Sequence, residues 1–298
     1  MLRVTSAGSG LLHDLRFAVR QARRTPVVAA IVVLSLALGI GANTAIFTVV
    51  HALMLRDLPL ADPARLLVLQ YLEPAGPTPP ALDRTHSGRG SRDAEGRSVG
   101  LSVSWPMFTY LRERTRALDP LVGFVPLGMF DKPAALVNGQ PMFVDGEMVT
   151  AGYFPAAGVV PLRGRLILAD DERPDAPRVA VISERFWERA FARDGDAVGR
   201  VFTLNSVPVT VIGILPASFV GVDPGRSPDL WVQMGPQAGL TPWGGRPDGD
   251  PRSAYASRGW WWLQVFGRLA PGVTIEQARA EIARLFREAV LSNIDGNV

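Results

Sequence analysis

The residue types that most often perform chemistry in proteins are few in this sequence and lie far apart. Cysteine is absent from all 298 residues, which excludes disulfides, thiolate catalysis and cysteine-ligated metals. The three histidines, His13, His51 and His86, lie in unrelated contexts and do not predict a metal site. Lys132 is the only lysine, and its surroundings, GMFDKPA, lack the phosphate-binding pattern GxxxxGK[ST]. We therefore expect no cofactor in this chain and no ATP site of the P-loop type.

Two clusters could still contribute to a catalytic or ligand site. Asp170, Asp171 and Glu172 form an acidic group in the segment LADDERPDAP, which the pattern predicts to be a solvated loop. The tryptophans at 260–262 could stack on a ligand, although alternate positions on a strand normally face core and surface in turn. The patterns SxxK and HExxH do not occur, and the predicted folded region offers no histidine for a Ser-His-Asp triad. We therefore do not expect an enzyme.

The charge distribution argues against nucleic-acid binding. Arginine supplies 30 of the 31 basic residues, yet the formal net charge is only +3. The arginines past residue 60 are scattered among Asp and Glu and form no basic stripe of the kind that binds a phosphate backbone. We therefore expect no nucleic-acid partner.

The elements that could position an interaction site begin with a long uncharged run. Residues 25–54 contain no Asp, Glu, Lys or Arg, and crossing a bilayer takes roughly 20 apolar helical residues. The run therefore predicts a transmembrane helix at 26–55. A cleaved signal peptide fits less well because its apolar stretch spans only about 7–15 residues. A buried soluble helix would show a polar face, and residues 26–38 show none.

The flanks of this run predict its orientation. Arginines crowd the N-terminal side, whereas acidic and basic residues nearly cancel on the other side. The positive-inside rule then places the N-terminus in the cytoplasm and the rest of the chain outside it. We expect a protein of the bacterial inner (plasma) membrane whose main domain is periplasmic.

Small and polar residues interrupt the apolar run in the stretch ALGIGANTAIF. Glycine and alanine let a second helix approach closely, and polar side chains within lipid usually face protein. The residues predicted to pack against other membrane helices are Gly39, Gly41, Asn43, Thr44 and Ala45. The alternative is a helix that merely tolerates such residues near the outer interface.

The segment before the run, LLHDLRFAVRQARRTP, is predicted to be an amphipathic helix on the cytoplasmic membrane surface. Such a helix places its apolar face in the lipid and its basic residues near anionic headgroups. The residues assigned to this role are Leu11, Leu15, Arg16, Arg20, Arg23 and Arg24. The alternative is an ordinary solvated lead-in.

The remaining sequence predicts an α+β fold. Short apolar runs separated by Gly, Pro and Asn indicate strands, and amphipathic stretches between them indicate helices. We expect one N-terminal transmembrane helix followed by a mixed α/β periplasmic core domain with a β-rich inserted subdomain. The predicted segments are a lead-in helix at 1–25, the span at 26–55, the core domain at 56–290 and a tail at 291–298.

Several local features are predicted within the core domain. Residues 73–100, rich in Pro, Gly, Ser and Arg, are expected to form a mobile loop. Ser104 is expected to cap a helix, and Asn138 followed by Gly139 favours a hairpin turn. Thr274 and Gln277, three residues apart, form a capping-box pattern at the start of the last helix.

Five segments, in this order, resemble MacB/FtsX-type ABC-transporter permeases. They are the stretch from DLRFAVRQARRTP through LADPARLLVL, AGYFPAAGVVPLRGRLI, the stretch from RVAVISERFWERAF through ILPASFVGV, DLWVQM, and FGRLAPGVTIEQARAEI. The resemblance implies a periplasmic core domain with a porter-like part at 57–150 and 255–290 and a strand-rich insertion at 151–254. It also implies three further transmembrane helices and a partner ATPase that binds ATP. Members of that family use ATP binding to drive periplasmic conformational change during export or efflux.

The sequence departs from that family in one respect. It stops at REAVLSNIDGNV, where the second span is expected, so it corresponds to only the N-terminal part of such a permease. The expected partners are the membrane, an ABC-type ATPase subunit, and further transmembrane helices or a second permease copy in a dimer. The alternative is a standalone single-span periplasmic interaction module without ATPase coupling.

Overall fold

The structure is a computed structural model, and its chain divides into two compact units, residues 1–56 and 57–298. The residues that it describes are 20, 23–50, 60, 62–72, 85–86, 90–128, 132–223, 225–235, 240 and 255–294.

The first unit contains helix α1, Pro26–Val50, which is 25 residues long. Pro26 fits the first turn because the backbone N–H that proline lacks has no helical acceptor there. The side chains at 32, 33, 42 and 45–50 lie outside the described residues. A search of the residues described finds no helix with both the length and the apolar character needed to cross a membrane. The span predicted at 26–55 therefore stays a prediction.

The second unit consists of seventeen described strands and four described α-helices. The strands are β1 Leu66–Val68, β2 Tyr71–Leu72, β3 Thr85–His86, β4 Gly90–Arg92, β5 Ser98–Gly100, β6 Ser102–Val103, β7 Leu118–Leu127, β8 Ala134–Val137, β9 Gln140–Phe143, β10 Gly146–Val149, β11 Arg163–Gly164, β12 Val179–Ser183, β13 Val201–Leu204, β14 Val207–Leu215, β15 Leu230–Gln233, β16 Trp260–Trp261 and β17 Leu263–Leu269. The helices are α2 Trp105–Arg114, α3 Tyr153–Ala157, α4 Glu184–Phe191 and α5 Ile275–Ile294.

Twelve of these strands form one mixed sheet. Ten follow each other in the order β1-β17-β7-β10-β15-β12-β14-β13-β8-β9, while β6 pairs with β17 and β11 with β14. The pairs β10–β15 and β12–β14 are parallel, and the other pairs in the sheet are antiparallel. The prediction of a mixed α/β domain is confirmed.

Alternating strand residues divide the core into two apolar layers. On β12, Ala180 and Ile182 belong to the first layer, whereas Val179 and Val181 belong to the second. The period of two along a strand places these layers on opposite faces of the sheet. Helices α2, α4 and α5 contribute to the first layer, and α3 contributes to the second. The sheet is therefore buried on both faces, which explains the continuously apolar character of β12.

The predicted turns and caps form as the sequence indicates. The Ser104 hydroxyl accepts a hydrogen bond from the Met107 N–H at 3.3 Å and caps α2. Thr274 and Gln277 exchange reciprocal side-chain to backbone hydrogen bonds at 2.9 and 3.3 Å, a capping box before α5. Asn138 and Gly139 both have positive φ, 50° and 77°, and connect β8 to β9.

Two features differ from the sequence-based picture. The segment 73–100, expected to be one loop, includes β3, β4 and β5, and β5 pairs with both β2 and β4. Strands of the predicted insertion also lie between strands of the predicted porter-like part in a single sheet, because β10 pairs with β15 and β8 pairs with β13. The exact boundaries of those two parts stay predictions.

Candidate functional site

The residues predicted to pack against other membrane helices lie on α1. Gly39, Gly41, Asn43 and Thr44 are exposed, while the side chain of Ala45 lies outside the described residues. Within the described part of the chain, a Cβ atom added at Gly39 or Gly41 would meet no other atom within 4 Å. The two glycines therefore leave room on the helix surface for close approach by another helix.

The other described side chains of α1 are mainly large and apolar. Those that expose more than half of their surface are Val27, Val28, Ile31, Leu34, Leu36, Leu38 and Ile40. At about 100° per residue these positions surround the helix axis, so no polar face separates them. A helix of this kind has an apolar surface on every side.

The predicted interfacial residues are described only in part. Arg20, Arg23 and Arg24 are helical and exposed. Leu11, Leu15 and Arg16 lie outside the described residues. The amphipathic lead-in helix that these six residues define stays a prediction.

A buried polar cluster in the second unit was not recognised from the sequence. Glu147 on β10, Tyr153 on α3 and Trp231 on β15 have no solvent exposure. The Tyr153 hydroxyl and the Trp231 Nε1–H each donate a hydrogen bond of 2.9 Å to Glu147 Oε2. Glu147 Oε1 has no hydrogen-bond partner among the described residues. One carboxylate oxygen therefore accepts two hydrogen bonds, while the other is buried without a donor among the described residues.

The burial of Glu147 sets its acidity. Removal from water raises the pKa of this carboxyl to about 7, against smaller opposing contributions from Tyr153, Arg226 and Trp231. Burial, together with the neighbouring Glu147 charge, raises the pKa of the Tyr153 phenol well above its ordinary value. Tyr153 therefore stays protonated and acts as a donor, while Glu147 takes up or releases a proton near neutral pH.

The signal for this cluster lies in the segment DGEMVT. Glu147 is followed directly by Met148 and Val149, and all four residues of β10 are buried. A carboxylate on a strand that is buried on both faces needs hydrogen-bond donors in the core. Its donor Trp231 is 84 residues away in sequence, so the partner itself was not predictable.

The acidic group at 170–172 is not a solvated loop as predicted. Residues Ala169–Glu172 form a 3₁₀ helix. Asp171 accepts two hydrogen bonds from the Arg165 guanidinium, at 2.6 and 2.8 Å, and is 7% exposed. Burial acts to raise the pKa of Asp171, but Arg165 and the Leu168 N–H outweigh it and hold the pKa below its ordinary value. These contacts make Asp171 a structural residue.

Glu172 also joins separate elements of the domain. Its carboxylate accepts a hydrogen bond from the Ala151 N–H at 2.7 Å and contacts Arg112 of α2 at 3.5 Å. Burial raises the pKa of Glu172 despite these two partners. The solvated-loop interpretation failed for Glu172 because its partners Ala151 and Arg112 are 21 and 60 residues away in sequence.

The tryptophans at 260–262 are core residues on both faces of their strand. Their exposed fractions are 7%, 4% and 0%. Trp261 meets Tyr71 edge to face at 4.8 Å, and Trp262 stacks on Trp105 at 6.4 Å. The expected alternation between core and surface is wrong here, and none of the three rings presents a face to solvent.

Comparison with solved structures gives several similar folds. The chain is 14% identical to the periplasmic region of MacB from Actinobacillus actinomycetemcomitans, with 63% of this chain and 74% of that chain covered and a TM-score of 0.46. It is 16% identical to the extracellular domain of the noncanonic ABC-type transporter YknZ from Gram-positive bacteria, with 63% and 84% covered and a TM-score of 0.42. A domain of a putative permease from Porphyromonas gingivalis is 14% identical, with 78% and 84% covered and a TM-score of 0.48. Comparison with curated proteins gives no match.

The mixed sheet with helices on both faces defines a mixed α/β domain. The family model described as MacB-like periplasmic core domain matches residues 29–285, which is most of the chain. The chain therefore belongs to the family of MacB-like periplasmic core domains, and the resemblance found in the sequence is confirmed.

Proposed function

We propose that this protein is a permease component of a MacB/FtsX-like ABC transport system, anchored in the bacterial inner membrane. The observation that supports this most strongly is the extent of the family match, which begins within α1 at residue 29 and continues through the core domain to residue 285. The conserved unit of the family therefore includes part of the apolar helix as well as the domain.

In this proposal α1 is the membrane anchor. Its described large side chains are apolar and exposed around the axis, which suits a lipid environment and is unfavourable in water. Arg20, Arg23 and Arg24 precede it, and basic residues favour the cytoplasmic side of a span. The core domain then lies outside the cytoplasm, in the periplasm.

The small and polar residues of α1 form its contact surface with partner helices. Gly39 and Gly41 each leave open space and lie about 200° apart around the axis, so partner helices can approach the backbone closely on two sides. Asn43 and Thr44 follow within the next turn and supply hydrogen-bonding groups. The partners are further transmembrane helices or a second permease copy in a dimer.

ATP is bound by a partner ATPase in this proposal, because the sequence contains no P-loop. No catalytic residue is assigned to the chain. Its contribution is mechanical: ATP binding in the partner drives a conformational change of the core domain during export or efflux. A twelve-stranded sheet with an apolar layer on each face suits this role because hydrogen bonds and packing connect its elements.

Affinity purification from native membranes tests the proposal. The full chain is expected to copurify an ABC-type ATPase, and replacing Gly39 and Gly41 together by Leu is expected to reduce the recovered ATPase severalfold. Ala30→Leu, an exposed position of the same helix nearer its start, is the matched control and is expected to leave recovery unchanged. Membrane association without any ATPase would favour the alternative, a standalone single-span interaction module.

A further inference from the structure

The core domain has a cavity of about 760 Å³ between its first strands and its last helix. Ligand cavities in proteins typically have volumes of about 300–1,000 Å³ and are mainly apolar. Residues 67–72, which include β1 and β2, form one wall, and α5 forms the other. Val103, Leu111 and Leu118 close the inner end, and all three are buried in the first apolar layer.

The α5 wall is an apolar stripe at helical spacing. Ala278, Ile282, Phe286 and Val290 line the cavity at intervals of four residues and therefore share one face of the helix. The Phe286 ring stacks on Tyr71 at 6.1 Å and meets Trp261 edge to face at 5.9 Å. The cavity therefore has an aromatic region as well as aliphatic walls.

The entrance of the cavity is also apolar. Val68 and Leu72 on one side, and Ile275 and Leu291 on the other, line the cavity and are 57%, 48%, 49% and 53% exposed. Large apolar side chains that meet across an opening favour the entry of an apolar group from solvent.

The charged residues of the cavity are all basic. Arg279 and Arg287 line it, and none of the described residues that line it is Asp or Glu. Within the described ranges neither guanidinium forms an ion pair. The acids of α5 have other partners: Glu276 bonds its own backbone N–H and the Thr274 hydroxyl, Glu281 accepts a hydrogen bond from the Arg116 N–H at 2.6 Å, and Glu288 pairs with Arg284 at 2.6 Å. An apolar cavity with two available guanidinium groups is complementary to an anion that has an apolar tail.

We propose that this cavity binds a single-chain anionic amphiphile, with its alkyl chain between β1 and α5 and its carboxylate on Arg279 or Arg287. An uncharged lipid would leave both guanidinium groups without a counter-charge, and arginine forms strong bidentate hydrogen bonds with a carboxylate. This site is independent of the proposed permease function.

Quenching of tryptophan fluorescence by 12-bromododecanoate provides a direct test. The full chain is placed in phosphatidylcholine nanodiscs, and all seven tryptophans follow residue 100, so none lies in α1. Saturable quenching is expected, since Trp261 contacts the cavity residue Phe286. Decanoate, dodecanoate and tetradecanoate should displace the probe with affinities that rise about fourfold per added methylene, corresponding to about 0.8 kcal/mol.

Three variants locate the site. Ala283→Phe fills the cavity from an exposed lining position and should weaken binding at least tenfold. Arg279→Gln with Arg287→Gln should weaken binding of 12-bromododecanoate about tenfold and leave 12-bromododecanol unchanged. Arg284→Gln, on the same helix but outside the lining, is the matched control and should bind as the wild type does.

Three results would overturn the proposal. Quenching that does not saturate would indicate partition into lipid only. Equal affinities in the wild type and Ala283→Phe would place the probe elsewhere, and equal affinities for the bromo acid and the bromo alcohol would exclude an anion-selective site. The folded fraction of each variant is checked by its thermal unfolding midpoint, so a loss of binding at an unchanged midpoint is specific.

Discussion

At the scale of single residues, Glu147 is the buried acid whose charge opposes folding. Its pKa is raised to about 7 by burial, whereas an unfolded chain leaves a glutamate near its ordinary value of 4.5. The folded state therefore binds more protons than the unfolded state between these two pH values. Stability must then fall as pH rises from about 4.5 to 7 and stay lower above that.

Glu147→Gln is expected to remove this pH dependence. The amide oxygen can still accept hydrogen bonds from Tyr153 and Trp231, and no charge is buried at high pH. We predict that the variant is more stable than the wild type by about 1–3 kcal/mol at pH 8 and nearly equal at pH 4.5. Urea unfolding at a series of pH values measures the difference.

The matched control for this experiment is Glu113→Gln, because the Glu113 side chain is 69% exposed. It should follow the wild-type pH profile closely. If Glu147→Gln also followed that profile at every pH, the ionised form of Glu147 would not be destabilised by burial.

At the scale of the element, the capping box of α5 is a feature that sequence alone predicts. The Thr274 hydroxyl and the Gln277 side-chain oxygen each accept a hydrogen bond from the other residue's backbone N–H. Both residues lie within four consecutive positions. Thr274→Ala is expected to lower the free energy of unfolding by about 0.5–2 kcal/mol. Thr274→Ser keeps the hydroxyl, so its free energy of unfolding should fall much less. Chemical denaturation of both variants makes the comparison, and equal losses would contradict a capping role.

The close contact between β11 and β14 depends on a glycine. A Cβ atom added at Gly213 would lie 2.2 Å from the Arg165 carbonyl oxygen, which is backbone and cannot turn aside. Gly213 also lies where the register between β12 and β14 shifts. Gly213→Ala is expected to destabilise the domain by about 1–3 kcal/mol, because one strand must move to admit the methyl group.

Gly195→Ala is the control for this prediction. Its added Cβ atom would have only the Arg163 guanidinium at 4.0 Å, so the side chain fits without displacement. Thermal unfolding of the two variants should show a clear loss for Gly213→Ala and little change for Gly195→Ala. A loss of equal size in both would contradict the close contact at Gly213 as the cause of the effect.

The elements that sequence predicted well are those whose determinants are local. The cap at Ser104, the box at Thr274 and the hairpin turn at Asn138 each depend on residues within a few positions. The strand pairings do not depend on nearby residues. For example, β10 pairs with β15 across more than eighty residues, and nothing in the sequence of either strand selects the other. The Glu147 cluster was missed for the same reason, whereas the Asp171 ion pair was missed although its two residues are only six positions apart.

At the scale of the whole molecule, family membership connects a folded domain with an apolar helix. The two apolar layers and the mixed sheet account for the buried residues of the domain. The fold of the domain does not account for the exposed apolar surface of α1 or for the glycines at 39 and 41. A membrane anchor that contacts other helices accounts for both features, and this is the central claim of our account.

The absence of cysteine makes the orientation of the chain directly measurable. Single cysteines replace Glu113, which is exposed in the core domain, and Ser9, which precedes α1. Intact spheroplasts are treated with a membrane-impermeant maleimide, and labelling is compared before and after lysis. We predict that Glu113→Cys is labelled in intact spheroplasts and that Ser9→Cys is labelled only after lysis. Labelling of both positions before lysis, or of neither, would contradict an anchor with its N-terminus in the cytoplasm and its core domain outside.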